Sequence, residues 1–263
     1  MLSVFMCDPV EQSIADSLEA DQILLPHMDT LLQDLWALGC SIDHIIDVIS
    51  SLNLKPDQTR ILDLGCGKGA VCIQIAERFG FQAVGVDVME SFLKDAREKA
   101  SEHGVSHLCR FIKQDMRTYV SDEHDFDLVI LASLGGILGS IRNTVGTLRT
   151  QVRSGGYMMI DDGYLRNAPA LSRKGYSHYR NHEESIQELT VFNDLLVREV
   201  NTTDFSLEIN GIYMQAIEKR GKELADHHPE LKKDIEDYIR LQAEECEVID
   251  YEIEGALWLI QKR

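Results

Sequence analysis

The stretch Ile61-Leu62-Asp63-Leu64-Gly65-Cys66-Gly67-Lys68-Gly69 constrains this chain more than any other. A short apolar run broken by an acid reads as a buried strand, and glycines at alternate positions read as a tight turn into a helix. Glycine has no Cβ and accepts positive φ, so such a turn lets a ligand approach the backbone closely. The helix that follows offers N–H groups without an intrahelical partner. A nucleotide-type site at the end of a buried strand is the expectation.

Alternating elements continue from there. Arg60–Leu64, Ala83–Val86, Cys109–Lys113, Phe126–Leu131 and Tyr157–Asp161 read as strands. Ala70–Phe79, Ser91–His103 and Leu138–Val152 read as the helices between them. Nearly continuous apolar strands separated by helices predict a mostly parallel sheet covered on both faces. Before this region, about residues 10–54 look helical, with Ile23, Leu24, Met28, Leu31, Leu32, Leu35 and Leu38 in an amphipathic rhythm that Gly39 stops. Ser41 or Asp43 caps the next helix, and Trp36 reads as core. After a strand over Leu195–Val200, the charge-rich helices Leu207–Lys222 and Pro229–Glu247 form an insert before a last apolar strand, Gly255–Ile260. An insert of this size on a compact sheet is usually functional. The expected organisation is a helical cap over 1–57, an α/β core over 58–203, the insert over 204–250 and the last strand over 251–263.

The glycine spacing selects among ligands. Gly65-x-Gly67-x-Gly69 departs from the dinucleotide fingerprint, whose third glycine comes one residue later, and Lys68 is followed by glycine where a P-loop needs Ser or Thr. A pyrophosphate is poorly matched. The second strand ends at Asp87, where a carboxylate can accept from both hydroxyls of a ribose. Val88 and Met89 follow, apolar and placed to flank an adenine ring. The third strand ends at Gln114-Asp115-Met116, with an acid that can accept from an adenine amino group and Met116 beside the ring. The fourth opens into Ala132-Ser133-Leu134-Gly135-Gly136. In open parallel sheets, ligands bind at these carboxyl ends.

These residues resemble the class I S-adenosylmethionine-dependent methyltransferases, and within them the small-molecule branch related to the ubiquinone and cyclopropane-fatty-acid methyltransferases. The resemblance rests on Asp63–Gly69, Asp87, Asp115-Met116, Phe126-Asp127-Leu128-Val129 and Arg153-Ser154-Gly155-Gly156-Tyr157, the last without the family's proline. It covers residues 58–165 well and Gly255–Lys262 more loosely. It implies a Rossmann-like α/β fold of seven strands, the last antiparallel. It also implies S-adenosylmethionine as cofactor, with S-adenosylhomocysteine as product. The backbone at Gly65, Cys66, Gly67 and Gly69 would pass the methionine part, Asp63 would anchor the turn, and Ser133 would line the wall near the methyl group.

No Asn/Asp-Pro-Pro-Tyr/Phe tetrad and no Pro-Cys pair follows the fourth strand, which argues against amino methylation of adenine and C5 methylation of cytosine. A net charge of −18 repels phosphate backbones, so nucleic acid is not the expected partner. The acceptor is expected to be a small molecule, held behind the methyl carbon with water excluded. In Asp161-Asp162-Gly163-Tyr164 alternate residues face opposite sides of a strand, and Asp162 is the candidate base with Tyr164 near it. The alternative is that both acids merely solvate the strand end. His27, His178 and Tyr213 are further candidates for acceptor contact. The pair His227-His228 lacks further ligands at metal spacing, so no metal is expected.

The six cysteines are scattered and form no C-x-x-C pair, the acids Asp8, Glu11, Asp16 and Glu19 replace a signal peptide's basic start, and no long apolar span is seen. A cytoplasmic protein without a membrane span is expected, with a homodimer possible. Two other readings stay open: an NAD-linked oxidoreductase, and a non-catalytic scaffold that has kept the fold.

Overall fold

The computed structural model describes residues 12, 14–15, 18–167 and 175–263. They form two compact units, one of Trp36–Leu207 with Ile249–Arg263, the other of the residues up to Leu35 with Glu208–Val248.

The larger unit is built on a seven-stranded sheet of order β3-β2-β1-β4-β5-β7-β6. The strands are β1 (Arg60–Leu64), β2 (Gln82–Asp87), β3 (Cys109–Lys113), β4 (Phe126–Ala132), β5 (Val152–Leu165), β6 (Leu195–Asn201) and β7 (Ile253–Gln261). The pairs among β1 to β5 are parallel, and β7 runs antiparallel to both β5 and β6. The alternation of side chains across a strand divides the core into two layers. On one face Ile61, Ile130, Met159 and Leu257 pack with Ile45, Val48 and Ile49 of the helix Ile42–Ser50 and with Cys72 and Ile75 of the helix Ala70–Phe79. On the other, Leu62, Val129, Met158 and the fully buried Trp258 pack with Val145 and Leu148 of the helix Ile141–Gln151. The helix Glu90–Glu102 buries Phe92, Leu93, Ala96 and Ala100. The expected Rossmann-like, mostly parallel sheet is the one observed.

Several expectations need correction. The apolar rhythm over 23–38 is not one helix: a 3-10 turn over Gln22–His27 contains Pro26, and a single α turn, Met28–Leu31, follows. Proline lacks the N–H and crowds the preceding turn, so the rhythm cannot be carried through it. Residues 10, 11, 13, 16 and 17 of that expected helical stretch lie outside the described residues. The stretch 138–152 divides into a 3-10 turn at Gly135–Leu138 and the helix Ile141–Gln151, which Ser140 caps by accepting from Asn143 N. Strand β5 is longer than its apolar centre, because Gly155 at φ +75° forms an irregularity that lets pairing with β4 resume at Leu128↔Tyr157 after Phe126↔Val152. The helix His182–Leu189 has too few apolar residues to show in the sequence; Asn181 caps it by accepting from Glu184 N at 2.9 Å. Ser41, not Asp43, caps the helix Ile42–Ser50.

In the smaller unit the two insert helices meet where Gly221 lets Ile235 and Ile239 approach: a Cβ there would lie 2.7 Å from Ile239 Cδ1. The Tyr213 hydroxyl donates to Gln242 Oε1 at 2.7 Å and lies 2.9 Å from the Tyr238 hydroxyl. Asp34 pairs with both Lys219 and Arg220, whose hydrogen bonds hold its carboxyl down at about 2.

Candidate functional site

At the end of β1 the chain turns sharply, and β2 receives it. Gly65 N and Cys66 N both donate to Val86 O, at 2.8 and 3.1 Å. One residue on, Asp87 binds the turn from the side: Oδ2 accepts from Gly67 N at 2.8 Å and Oδ1 from Met89 N at 2.8 Å. One carboxylate thus fixes the glycine turn to the start of the helix Glu90–Glu102. Burial raises the Asp87 carboxyl above its ordinary value, against the pull of these backbone donors. Gly65 and Gly67 hold φ of +70° and +50°, a region that penalises other L residues. Space is short as well: a Cβ on Gly67 would lie 3.1 Å from Leu38 Cδ1, and one on Gly65 would lie 2.9 Å from Met116 Cε, so these side-chain ends would have to give.

Beneath the turn, Asp63 is buried and accepts from the Cys72 thiol at 3.5 Å. Burial pushes its carboxyl up to about 7, and the Asp87 charge adds to the rise. Asp63, Gly65, Cys66 and Gly67 line one pocket with Trp36, Leu38 and Cys40. Lys68, though part of the turn, is buried and directs its ammonium to Asp95 at 3.7 Å. Gly69 caps the helix Ala70–Phe79 in a left-handed conformation.

The other strand ends are close by. Gln114 N donates to Asp87 O at 2.9 Å, and half-buried Val88 and Met89 follow Asp87. Asp115 is more committed than its sequence suggests: it caps the turn Met116–Tyr119 through Arg117 N at 2.8 Å, and its carboxylate forks onto the Arg117 guanidinium. That hydrogen bonding holds its carboxyl below the usual value. Ser133, at φ +55°, donates from Oγ to Asp161 Oδ2 at 3.4 Å.

The two adjacent aspartates on β5 have different surroundings. Asp161 is buried, accepts from Ser41 N at 3.4 Å, and is pushed up to about 7 by burial. Asp162, like Asp161, lines a second pocket with Leu134, Thr144, Trp258 and His178, and Asp162 is the one that His178 meets. His178 Nε2 lies 3.4 Å from Asp162 Oδ2, an ion-pair contact without hydrogen-bond alignment, while Nδ1 donates to Gly175 O at 3.0 Å. Burial opposes a charge on His178, but the Asp162 carboxylate and the Gly175 carbonyl together raise its pKa above the ordinary value. The ring packs so tightly on Gly136 that a Cβ there would lie 2.6 Å from Nδ1. Leu134 lines this pocket and also closes over Gly65, so one side chain separates the two pockets.

Of the candidate acceptor residues, the structure brings Asp162 and His178 together and does not add Tyr164. The Tyr164 ring packs on His182, with centroids 4.6 Å apart, and does not line the Asp162 pocket. His27 and Tyr213 belong to the smaller unit, where His27 faces His228 with ring centroids 5.1 Å apart. Sequence reasoning misses the stretch Trp36–Cys40, a pocket wall hidden inside an apolar rhythm. The glycine after Leu38 is the signal that this rhythm ends at something other than core.

The methyltransferase-domain family matches residues 55–228, more than half of the chain. The chain belongs to that family. The uncharacterized protein YjhP of Escherichia coli is 34% identical over 119 residues, covering 45% of this chain and 47% of its own length. Phosphoethanolamine N-methyltransferase 1 of Arabidopsis thaliana is 27% identical over 195 residues, covering 73% of this chain and 38% of its own. These matches span about half or less of the relatives' lengths. The methyltransferase of Geobacter sulfurreducens solved with S-adenosylhomocysteine superimposes with a TM-score of 0.76 at 21% identity, over 90% of this chain and 98% of that one. The class I methyltransferase resemblance read from Asp63–Gly69 and the later strand ends is borne out in family and fold.

Proposed function

We propose that this methyltransferase domain moves a methyl group from S-adenosylmethionine to a small-molecule acceptor. The observation that carries the reading is the Asp87 carboxylate, held by Gly67 N and Met89 N at the carboxyl ends of parallel strands. In that position it supports a ribose diol, and Gly65 and Gly67 bring only backbone to the pocket, faced by the side-chain ends of Leu134, Met116 and Leu38. The charges match as well. Asp63 lines the pocket, Asp87 binds the turn at Gly67 N, and the Lys68 ammonium is directed to Asp95, so a cationic sulfonium and ammonium suit the site better than a pyrophosphate. This disfavours the NAD-linked alternative. The donor supplies an electrophilic methyl carbon on positive sulfur. Asp63, Gly65, Cys66, Gly67, Gly69, Asp87, Val88, Met89, Gln114, Asp115, Met116 and Ser133 are assigned to the donor side.

We assign Asp162 the acceptor's proton and His178 the positioning of Asp162. An acceptor N–H or O–H that donates to Asp162 loses its proton as its lone pair takes the methyl group, and the imidazole stabilises the carboxylate beforehand. The charge of −18 supports a small molecule over nucleic acid. No helix among the described residues is long and apolar enough to cross a membrane. The free Cys40, Cys66, Cys72, Cys109 and Cys246 support a cytoplasmic setting. Isothermal titration with S-adenosylhomocysteine and with NADH tests the donor: heat with the first alone is expected, and heat with NADH alone would sink the reading.

A further inference from the structure

Between the turn that ends the helical start and the helix Ile42–Ser50, the segment Trp36–Cys40 has neither helix nor strand, yet it is held at both ends. At its start the Trp36 indole N–H donates to Lys68 O at 3.1 Å. The indole also stacks on His103, with centroids 5.1 Å apart, and the Lys99 ammonium sits 5.1 Å from its centroid. In the middle, Leu38 packs directly on Gly67, and Gly39, at φ +96°, passes Ser133. At the far end Ser41 N donates to Asp161 at 3.4 Å. Trp36, Leu38 and Cys40 therefore form one wall of a pocket whose opposite wall is the glycine turn and whose interior includes Asp63.

We propose that Trp36–Cys40 is a strap that lifts to admit and release the methyl donor, with Trp36 as its latch. The proposal rests on the donor assignment above. Leu38 occupies the space over Gly67, so a molecule seated along Gly65–Gly67 must push Leu38 outward and then lies behind it, and it cannot come or go unless the strap moves. Lifting the strap breaks no helix or strand hydrogen bond, so what holds it down is its two anchors and the packing of Trp36, Ala37 and Cys40 against the core. Its two anchors differ in strength. The Ser41–Asp161 bond is long at 3.4 Å, whereas Trp36 combines a hydrogen bond, a ring stack and a cation over the ring. The latch thus sets the opening rate. An indole suits this role because its face holds the helix Glu90–Glu102 while its N–H holds the glycine turn.

Surface plasmon resonance with S-adenosylhomocysteine as probe tests this on the full chain and on Trp36→Phe and Trp36→Ala. Trp36→Phe keeps a stacking ring and loses the N–H; association and dissociation should both quicken, by roughly threefold, the scale of one modest hydrogen bond. Trp36→Ala loses all three contacts, and both rates should rise roughly tenfold or more. The dissociation constant should change less than either rate, because a gate speeds both directions. Unchanged rates in both variants would overturn the strap. Faster dissociation with unchanged association would overturn the latch, because it marks Trp36 as a contact of the bound donor. If Trp36→Ala does not fold, Trp36→Phe decides. No binding to the unaltered chain would remove the donor assignment and the strap with it, whereas binding with rates insensitive to Trp36 removes only the strap.

Discussion

Across β4 the sheet changes the way it builds a site. On the β1–β2 side the turn that lines the pocket is held through its backbone: Gly65 N and Cys66 N donate to Val86 O, and Gly67 N donates to the Asp87 carboxylate at the end of β2. On the β5 side the pocket is made by side chains, with Asp162 set against His178 from a later loop and Gly136 shaped to take the imidazole. A backbone site needs glycines and an acid at fixed spacing within one strand–helix–strand unit. A side-chain site needs only two groups to meet in space. The first can recognise a constant donor, and the second can be rebuilt for each acceptor by exchanging loops.

The comparison can be broken most forcefully at Asp87. Asp87→Ala removes the acceptor of two backbone bonds, and S-adenosylhomocysteine binding by titration calorimetry should weaken by about 1.5–3 kcal/mol. Unchanged affinity would take Asp87 off the ribose.

Next comes the buried acid beneath the turn. The Asp63 carboxyl stands at about 7 in the folded chain against an ordinary 3.8, so the folded state holds the proton more tightly than the unfolded one. Its burial therefore costs nothing extra at low pH, and stability falls as pH rises from about 4 to about 7. Asp63→Asn should raise the melting temperature at pH 8 by the equivalent of about 1–2 kcal/mol and leave it nearly unchanged at pH 4. A stabilisation equal at both pH values would show that ionisation of Asp63 is not the cause.

On the side-chain site, Asp162→Asn should lower the His178 pKa seen by NMR titration, since the carboxylate is what raises it. The pair's contribution is present below the unfolded histidine value and is lost as pH rises through the folded one. The variant should lose about 1 kcal/mol of stability at pH 5.5 and less at pH 9. A histidine whose titration ignores the substitution would dissolve the pair.

The smallest effect is expected at Asp115. Its carboxylate is taken up by Arg117 on an exposed surface, and asparagine can still cap the turn, so Asp115→Asn should shift S-adenosylhomocysteine affinity by less than about 1 kcal/mol. A loss as large as that of Asp87→Ala would make Asp115 a principal contact of the adenine.

The same contrast decides what could be read without coordinates. Strands β1 and β3 and the helix Ala70–Phe79 begin and end where the apolar runs and the glycines place them, because Gly69 and Gly80 mark the helix ends through their conformation. The donor-side residues follow from the same punctuation. Rhythm misleads at Pro26, where a missing N–H outweighs seven well-spaced apolar residues. At Trp36 it is right only in part: the indole packs against a core cluster, yet it stays half-buried and its N–H bonds Lys68 O. Nothing in the spacing of Asp162 and His178 announces their meeting, since the two residues lie on different segments and approach only in space. Asp161 is equally hidden: strand alternation predicts that one of the pair faces inward but not that it anchors Ser41 N.

The placing of β7 has a consequence for how the chain reaches this fold. Edge strand β6 has β7 as its only strand neighbour among the described residues, and β7 also closes the sheet against β5. Yet the helices Thr203–His227 and Lys232–Glu252 are synthesised between β6 and β7. On an emerging chain β6 therefore has no partner until both helices have passed, while β1 to β5 can already assemble. Pairings this distant in sequence cost little in stability but form late, so the step that seats β7 is expected to limit the rate of folding. Until then the β5 edge, with Asp162 on it, stays open to other strands.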